Sequence, residues 1–298
     1  MSRSRPHAHR RAVALALFVT FLWSTSWILI KFGLDELPPL TFAGLRYALG
    51  AICLLPYALR FRRAAPLLPL GPRDWLVLGS FGVLFYAITQ GAQFMALSHL
   101  PAAGLSLLLN LSPVLTAVLA AVMLGERPTA KLILALMVCL AGVLLYFGPG
   151  LLLEAPGPGV MFGLVCLLAN SSSMIIGRAI LRSERYPVAL TTVISMGAGA
   201  LVLLTAGVLI EPWPRLSPGS LLLIGWLGVV NTALAFLLWN IALTELNATE
   251  AGLINNAMLP QIAILSWVIL GESLDGQAML AIGLVLAAVL SVHRGSGQ

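Results

Sequence analysis

The chain alternates between long apolar segments and short polar ones, and the apolar segments have the length of membrane-spanning helices. An α-helix needs about 20 apolar residues to cross the hydrocarbon core of a bilayer. The strands of a membrane barrel would be only about 10 residues long and would alternate polar and apolar positions. The segments found here are longer and apolar on all sides, so we predict an all-α integral membrane protein.

Ten spans are predicted from this pattern. Ala12–Ile30 has no charged side chain, and Leu37–Leu59 has only Arg46. The 51 residues between Asp74 and Glu126 contain no Asp, Glu, Lys or Arg. They hold two spans that divide at Pro101, where a new helix can begin. The other spans are Leu132–Leu153, Gly157–Gly177, Pro187–Ile210, Leu221–Thr244, Ala251–Leu270 and Gln277–Val292.

The composition agrees with a membrane protein. The chain is 59% hydrophobic and 9% charged, whereas soluble domains are about 25% charged. Its three cysteines, Cys53, Cys139 and Cys166, lie separately within apolar runs. They are expected to be core residues, without a disulfide or a metal.

The N-terminal segment "MSRSRPHAHRR" is basic and precedes an apolar run, as in a secretory signal peptide. The run continues without a convincing cleavage site, so we interpret it as an uncleaved first span. Residues 1–11 are expected to form a disordered cytoplasmic basic arm, and residues 294–298 a cytoplasmic tail.

The basic residues predict the orientation of the chain. With a cytoplasmic N-terminus, fourteen of the seventeen Lys and Arg residues lie in cytoplasmic segments, and only Lys31 and Arg215 lie in outer loops. Cytoplasmic loops are enriched in these residues, so both termini are expected inside. The loop between spans eight and nine has neither Lys nor Arg. The basic residues do not alternate with aromatic ones as in a nucleic-acid groove, and no nucleic-acid partner is predicted.

The sequence also repeats itself. "AVMLGERP" and "WVILGESL" end in the same Gly-Glu pair, and at an offset of 146 residues Leu97–Phe147 aligns without a gap with Leu243–His293. A weaker match joins Trp23–Lys31 to Asn170–Arg178. We predict two five-span repeats, 12–153 and 154–293. Five is odd, so the second repeat enters the membrane inverted, as in many secondary transporters.

Four stretches resemble the EamA-type carriers of the drug/metabolite transporter superfamily, and with the repeat they cover nearly the whole chain. They are "LWSTSWILIK", "LTFAGLRYALGAICLLP", "LSPVLTAVLAAVMLGERP" and "LWNIALTELNATEAGLINNAMLPQIAILSWVILGESL". The resemblance implies a carrier of amino acids, nucleosides, sugar phosphates or small amphiphiles, and most bacterial members resemble exporters. One departure is a shift of one residue between Pro113 and Pro260, from which we expect the two halves to bend differently.

Polar and aromatic residues within the spans are the candidate substrate-binding residues. Polar side chains are costly in a membrane and often functional, and aromatic ones could stack on a ring or an apolar body of the solute. The alternative for each is helix packing. Trp23 and Trp27 lie four residues apart on one helical face, with Ser24 between them, and could form a stacking wall. The other candidates are Tyr86, Gln90 and Gln93 in span three, Trp239 and Asn240 in span eight, Asn110 in span four, and Asn256 and Gln261 in span nine.

Four further residues have predicted structural or gating roles. Pro113 and Pro260 are expected to kink their spans and to line a central cavity. Glu126 and Glu272 follow a helix-breaking glycine, and each is expected to cap the next element of the chain. A gating salt bridge is the alternative for both carboxylates.

Arg46 is the single basic residue within a span, and it has two interpretations. It could bind a carboxylate or a phosphate of the solute, or it could extend to the lipid headgroups.

The sequence therefore predicts a secondary transporter in a bacterial inner membrane, an exporter of a small amphipathic metabolite such as an amino acid. It would work by alternating access through a central cavity. No catalytic group, cofactor or metal site is expected, so it is not predicted to be an enzyme. The expected partners are the solute and membrane lipid. A proton or an exchanged solute could drive transport, and a monomeric state is also left open. The alternatives are a structural or lipid-handling membrane protein and a carrier of anionic phosphorylated solutes.

Overall fold

The structure, a computed structural model, describes residues 6–64, 70–123, 129–148, 157–183, 185–246 and 248–295. All regular secondary structure in these ranges is helical. The α-helices are α1 (Pro6–Gly33), α2 (Pro39–Ala64), α3 (Pro72–Gly82), α4 (Gln90–Leu97), α5 (Ala102–Leu109), α6 (Ser112–Met123), α7 (Ala130–Phe147), α8 (Pro158–Arg182), α9 (Val188–Ile210), α10 (Pro218–Gly228), α11 (Ala235–Leu243), α12 (Ala248–Asn255), α13 (Met258–Leu270) and α14 (Gly276–Gly295). Two π-helical segments, Val83–Thr89 and Val229–Leu234, join α3 to α4 and α10 to α11.

The helices have the length and apolarity of a multi-pass membrane protein. Within the described residues, seven helical stretches can cross a membrane: Ala8–Gly33, Pro39–Arg60, Pro72–Leu97, Ala102–Val122, Pro158–Arg182, Val188–Ile210 and Pro218–Leu243. Shorter apolar helices, Ile133–Phe147, Met258–Leu270 and Gly276–Ser291, lie in the predicted spans five, nine and ten. Large apolar side chains such as Leu209 and Leu222 are 79% and 74% exposed. A soluble protein rarely exposes so much apolar surface, whereas lipid covers it.

The first helix begins earlier than predicted. It starts at Pro6, so the expectation of a disordered arm through residue 11 is wrong for residues 6–11. Two contacts explain the extension. Ala12 and Ala16 pack against Ala242 and Leu246, and the imidazole Nε2 of His9 lies 3.4 Å from a carboxylate oxygen of Glu250.

Spans four and nine are each broken near the middle. The first break lies at residues 110 and 111, between α5 and α6, and the second at residues 256 and 257, between α12 and α13. Pro113 and Pro260 lie in the first turn of the helix after each break, where proline's missing N–H costs little. The two prolines therefore start new helices rather than kinking continuous ones.

Helix boundaries recur at the offset of the sequence repeat. Helix α3 and helix α10 begin and end 146 residues apart (218 minus 72), and α5 and α12 do the same. The two π-helical segments also begin 146 residues apart. The recurrence of helix boundaries therefore begins at Pro72, before the aligned sequence segment that begins at Leu97.

The described helices fall into two compact units, and each unit draws helices from both halves of the sequence. The first unit comprises Met1–Leu29, Leu100–Gly157 and Leu234–Gln298, and the second comprises Ile30–His99 and Pro158–Ala233. Each unit therefore contains segments of both predicted repeats.

In the second unit, small residues let α9 approach its neighbours. A Cβ atom added at Gly82 would lie 2.1 Å from the backbone oxygen of Ser195 in α9. The hydroxyl of Ser195 donates a hydrogen bond to the carbonyl of Leu78 at 3.0 Å. Close backbone approach at small residues, with a side-chain hydrogen bond across the helices, is typical of membrane helix packing.

In the first unit, α7 packs against α14 and α5 packs against α13. A Cβ atom at Gly142 would lie 2.7 Å from a methyl group of Val285 and 3.0 Å from the carbonyl oxygen of Ala281. Here too the helices meet at a small residue.

We predict that Gly82→Ala destabilises the protein, because the new methyl group would meet the backbone of α9 rather than a flexible side chain. Overpacking of this kind costs about 1–3 kcal/mol in the free energy of unfolding. Gly79 is the matched control, since a Cβ atom there has no neighbour within 4 Å and Gly79→Ala should stabilise the helix by about 0.5–1 kcal/mol. Melting temperatures of the purified variants in detergent measure both effects. Equal melting temperatures for the two variants would contradict this packing.

Candidate functional site

The predicted substrate-binding residues divide between the two units. The first unit contains Trp23, Ser24, Trp27, Asn110, Trp239, Asn240, Asn256 and Gln261, and the second contains Arg46, Tyr86, Gln90 and Gln93. The candidates therefore fall into two sets, one in each unit.

In the first unit, Trp23 forms an aromatic cluster with Phe236 and Trp239 of α11. The ring centroids of Trp23 and Trp239 are 5.1 Å apart, and those of Trp23 and Phe236 are 5.9 Å apart. All three residues are half-buried, so the rings keep an accessible edge. Trp27 is buried and makes no ring contact among the described residues. Trp23 therefore forms a wall with α11 rather than with Trp27.

A hydrogen-bond network lies beside this aromatic cluster and joins α1 to α13. The hydroxyl of Ser24 is 2.9 Å from Oε1 of Gln261, to which it donates. The amide nitrogen of Gln261 is 3.5 Å from the hydroxyl oxygen of Thr20. The network holds the Gln261 amide in a fixed orientation. Asn240, one residue after Trp239, is half-buried.

The two asparagines at the helix breaks occupy equivalent positions and behave differently. Asn110 donates its side-chain amide to the carbonyl of Ser106 at 2.9 Å, and so closes the end of its own helix. Asn256 is buried, and its Nδ2 has no hydrogen-bond partner among the described residues. A buried polar group without a partner carries a free-energy cost, so Asn256 is the stronger candidate for a ligand contact.

In the second unit, Arg46 lies at the centre of a polar and aromatic group that we call the Arg46 cluster: Arg46, Tyr47, Tyr86, Gln90 and Thr232. The Nε of Arg46 donates to the hydroxyl of Thr232 at 3.1 Å, and the guanidinium carbon lies 5.2 Å from the centroid of the Tyr47 ring. The hydroxyl of Tyr47 donates to Oε1 of Gln90 at 2.7 Å. The rings of Tyr47 and Tyr86 are 5.4 Å apart. Arg46 is buried, so it does not extend to the headgroups.

Sequence analysis did not select Tyr47 and Thr232, yet both contact Arg46. A signal was available for Thr232, because it lies 146 residues after Tyr86 and the π-helical segments around the two residues match. The shared pattern Gly-x-x-Gly-Val, at residues 79–83 and 225–229, continues the repeat through these segments. A π-helical turn often marks a functional position within a helix.

Glu272 caps a helix, but not the next one in the chain. Its two carboxylate oxygens accept hydrogen bonds from the backbone N–H groups of Ala102 and Ala103, at 2.7 and 3.1 Å. These groups belong to the first turn of α5, about 170 residues earlier. Gly271 has φ +68° and ends α13, as expected for a helix-terminating glycine. Glu126, its predicted counterpart, and Gly125 lie outside the described residues.

Further carboxylates in the second unit have similar roles that the sequence pattern did not reveal. The carboxylate of Glu211 accepts from the backbone N–H groups of Leu40 and Thr41, at 2.8 and 2.9 Å, in the first turn of α2. The carboxylate of Glu36 accepts from the hydroxyls of Ser220 and Ser217 at the start of α10. These two hydroxyl hydrogen bonds hold the pKa of Glu36 below its usual value.

At another helix end of the second unit, Asp74 is in contact with Arg185 and Tyr186. Its carboxylate accepts a hydrogen bond from the Tyr186 hydroxyl and lies 2.8 Å from the Arg185 guanidinium. Donation to this carboxylate raises the pKa of Tyr186. Asp74 and Ser220 are 146 residues apart and so occupy equivalent positions in the two halves. Asp74 accepts a hydrogen bond from Tyr186, whereas Ser220 donates one to Glu36. No group of three or more His, Cys, Asp or Glu among the described residues could hold a metal ion.

The comparisons with known proteins agree on one family. The model of the EamA-like transporter family matches the chain twice, over residues 10–148 and 157–293. A protein of Salmonella typhimurium named "Probable amino-acid metabolite efflux pump" is 27% identical over 291 residues, 92% of each chain. The Escherichia coli K12 protein of the same name is 25% identical and covers 94% of each chain.

An inner membrane transporter of Escherichia coli K12, YedA, is also 25% identical, over 94% of this chain and 90% of its own. Among solved structures, one crystal structure superposes with a TM-score of 0.66 at 22% identity, over 97% of this chain and 99% of that one. At this identity the superposition shows a shared fold.

We predict that Glu272→Ala lowers the free energy of unfolding by about 0.5–2 kcal/mol, the usual cost of losing a helix cap. The loss arises because two N–H groups of α5 would lose their acceptor. Glu245, an exposed residue, provides the control, and Glu245→Ala should leave the melting temperature unchanged. If Glu272→Ala abolished transport without lowering the melting temperature, a gating role would replace the capping role.

Proposed function

The chain belongs to the EamA-like transporter family, and we propose that it exports a small amphipathic metabolite such as an amino acid by alternating access. The observation that carries the proposal is the double match of the family model, which together spans almost the whole chain. The relatives named amino-acid metabolite efflux pumps, at 25% and 27% identity, support this class of solute.

We infer that the fold consists of ten spans arranged as two inverted five-span repeats. Three observations support this inference: the family model matches once in each half, helix boundaries recur 146 residues apart, and both π-helical segments lie at the same place in the repeat. The contact from Glu272, at the end of α13, to the first turn of α5 also supports opposite directions for these two helices. Inverted repeats allow two conformations that open to opposite sides of a membrane.

The location that we propose is the bacterial inner membrane, with both termini in the cytoplasm. The inner membrane protein YedA, which is similar over most of its length, supports the membrane. The distribution of Lys and Arg supports the orientation.

The chemistry of the first unit suits an amphipathic solute. The aromatic cluster of Trp23, Phe236 and Trp239 offers half-buried rings for an apolar body. The amides of Gln261 and Asn256 offer hydrogen bonds for a polar end. Ligand sites commonly combine apolar walls with a few fixed polar groups.

A second candidate solute is an anionic phosphorylated metabolite, and Arg46 is the observation that favours it. A buried guanidinium is suited to phosphate as well as carboxylate. The proton or exchanged solute that would drive transport stays open in both cases.

The test is counterflow in liposomes that contain the purified protein, with radiolabelled amino acids and sugar phosphates as the solutes. We expect saturable exchange of at least one amino acid. Exchange of sugar phosphates alone would favour the second candidate. Absence of any saturable exchange would support a structural or lipid-handling protein.

In the same assay we predict that Trp239→Ala raises the half-saturation concentration of the exchanged solute by roughly two- to thirteenfold, since one aromatic contact contributes about 0.5–1.5 kcal/mol. Trp267 is the matched control, because it lies in the same unit and is 57% exposed. Trp267→Ala should leave the half-saturation concentration unchanged. Equal effects of the two substitutions would show that the aromatic cluster does not contact the solute.

A further inference from the structure

We propose that the Arg46 cluster binds one singly charged carboxylate group, which the guanidinium of Arg46 holds. The identity of this carboxylate as part of the exported solute rests on the proposed function. The binding itself does not, and it can be tested on the purified protein without transport.

The first argument is the burial of an unbalanced positive charge. Arg46 is 6% exposed, and its single hydrogen bond within the described residues goes from Nε to the hydroxyl of Thr232. Among the described residues, the contacts between basic and acidic side chains are Arg185 with Asp74 and His9 with Glu250, and neither involves Arg46. A buried charge is costly unless an opposite charge and hydrogen bonds compensate it. An anionic ligand supplies both.

The second argument is the hydrogen-bonding capacity around Arg46. Tyr86 is 3% exposed, and across the described residues its hydroxyl makes no hydrogen bond. The amide of Gln90 accepts from Tyr47 through Oε1, which leaves its NH2 group available as a donor. The contacts of Tyr47 with Arg46, Gln90 and Tyr86 link these groups. A carboxylate, which accepts hydrogen bonds only, suits such a set of donors.

The third argument is the count of charge, which distinguishes a carboxylate from a phosphate. Among the described residues, the buried charged side chains are Arg46 and Asp74, so the cluster contains one buried cation. A carboxylate balances one positive charge and fits the guanidinium through two parallel hydrogen bonds. A doubly charged phosphate would leave a negative charge buried without compensation. The cluster therefore favours a monocarboxylate.

A purely structural role for Arg46 explains less. Its partner Thr232 also donates to the carbonyl of Leu227 at 2.8 Å, a hydrogen bond from the π-helical segment back to the last turn of α10. That hydroxyl is therefore already satisfied without Arg46. A neutral side chain of similar size could fill the same volume without burying a charge.

The first experiment measures the melting temperature of the purified protein with matched probes. The N-acetyl derivatives of leucine, phenylalanine and threonine, whose single charge is the carboxylate, are compared with the corresponding N-acetyl amides, which are neutral, and with glucose 6-phosphate. A ligand that binds the folded state raises the melting temperature. We expect a rise of several degrees with at least one of the three acids and none with its amide.

The variants identify the binding group. Arg46→Gln should abolish the shift, and Arg46→Lys should retain a smaller one, because lysine keeps the charge but loses the planar fork. The control is Arg178→Gln, since Arg178 is exposed on α8 and the shift should persist. No shift with any of the acids, equal shifts with acids and amides, a shift with glucose 6-phosphate alone, or an undiminished shift in Arg46→Gln would overturn the proposal.

A second measurement needs no ligand. If Arg46 is an uncompensated buried charge, Arg46→Gln should melt at the same temperature as the original protein or a few degrees higher. A fall of several degrees, matched by Thr232→Val, would show that Arg46 is a structural anchor and would overturn the proposal. Liposome counterflow separates this inference from the transport function. If the protein binds a carboxylate but shows no counterflow, the binding site stands and the transport function falls. If counterflow occurs and Arg46→Gln does not change it, the transport function stands and the Arg46 site falls.

Discussion

Every helix leaves N–H groups free in its first turn, and where neighbouring helices bury that turn each of these groups needs an acceptor. Carboxylates at helix ends meet this requirement in each unit. Glu272 accepts from the first turn of α5, and Glu211 accepts from the first turn of α2. Each carboxylate therefore ties the end of one helix to the beginning of another that is about 170 residues away. The chain positions its helices through a few polar contacts at their ends and through small residues along their lengths.

Several of the residues proposed to contact a ligand lie at or beside segments whose backbone departs from the regular α-helix. The π-helical segments carry Tyr86 and Thr232, and the breaks in spans four and nine carry Asn110 and Asn256. Backbone that departs from the α-helix is tolerated at membrane depth when protein or a wet cavity surrounds it. Arg46 has a regular helical backbone, but its side chain reaches the second π-helical segment through Thr232.

Much of the fold could be predicted from hydrophobicity, because lipid imposes a length and an apolar composition on each span. The repeat was also readable, since Gly-Glu recurs at a fixed offset. The partner of Glu272 was not, because pairing of α13 with α5 depends on tertiary packing and not on neighbouring sequence. Trp23 was paired with Trp27 as an aromatic wall, whereas its ring contacts are with Phe236 and Trp239 of α11, which helical spacing cannot show. The environment of Arg46 was equally hidden, because Thr232 lies 186 residues away.

The displacement of proline between the two halves has a thermodynamic consequence. Pro113 is the second residue of α6 and Pro260 is the third residue of α13, so the free N–H group that proline removes from the first turn is a different one in each copy. Two identical copies that exchanged shapes would make the inward-open and outward-open states equal in free energy. If the protein alternates access as proposed, copies that differ at the break would give the empty carrier a resting preference for one side. Its equilibrium constant between the two states would then differ from one before any solute binds.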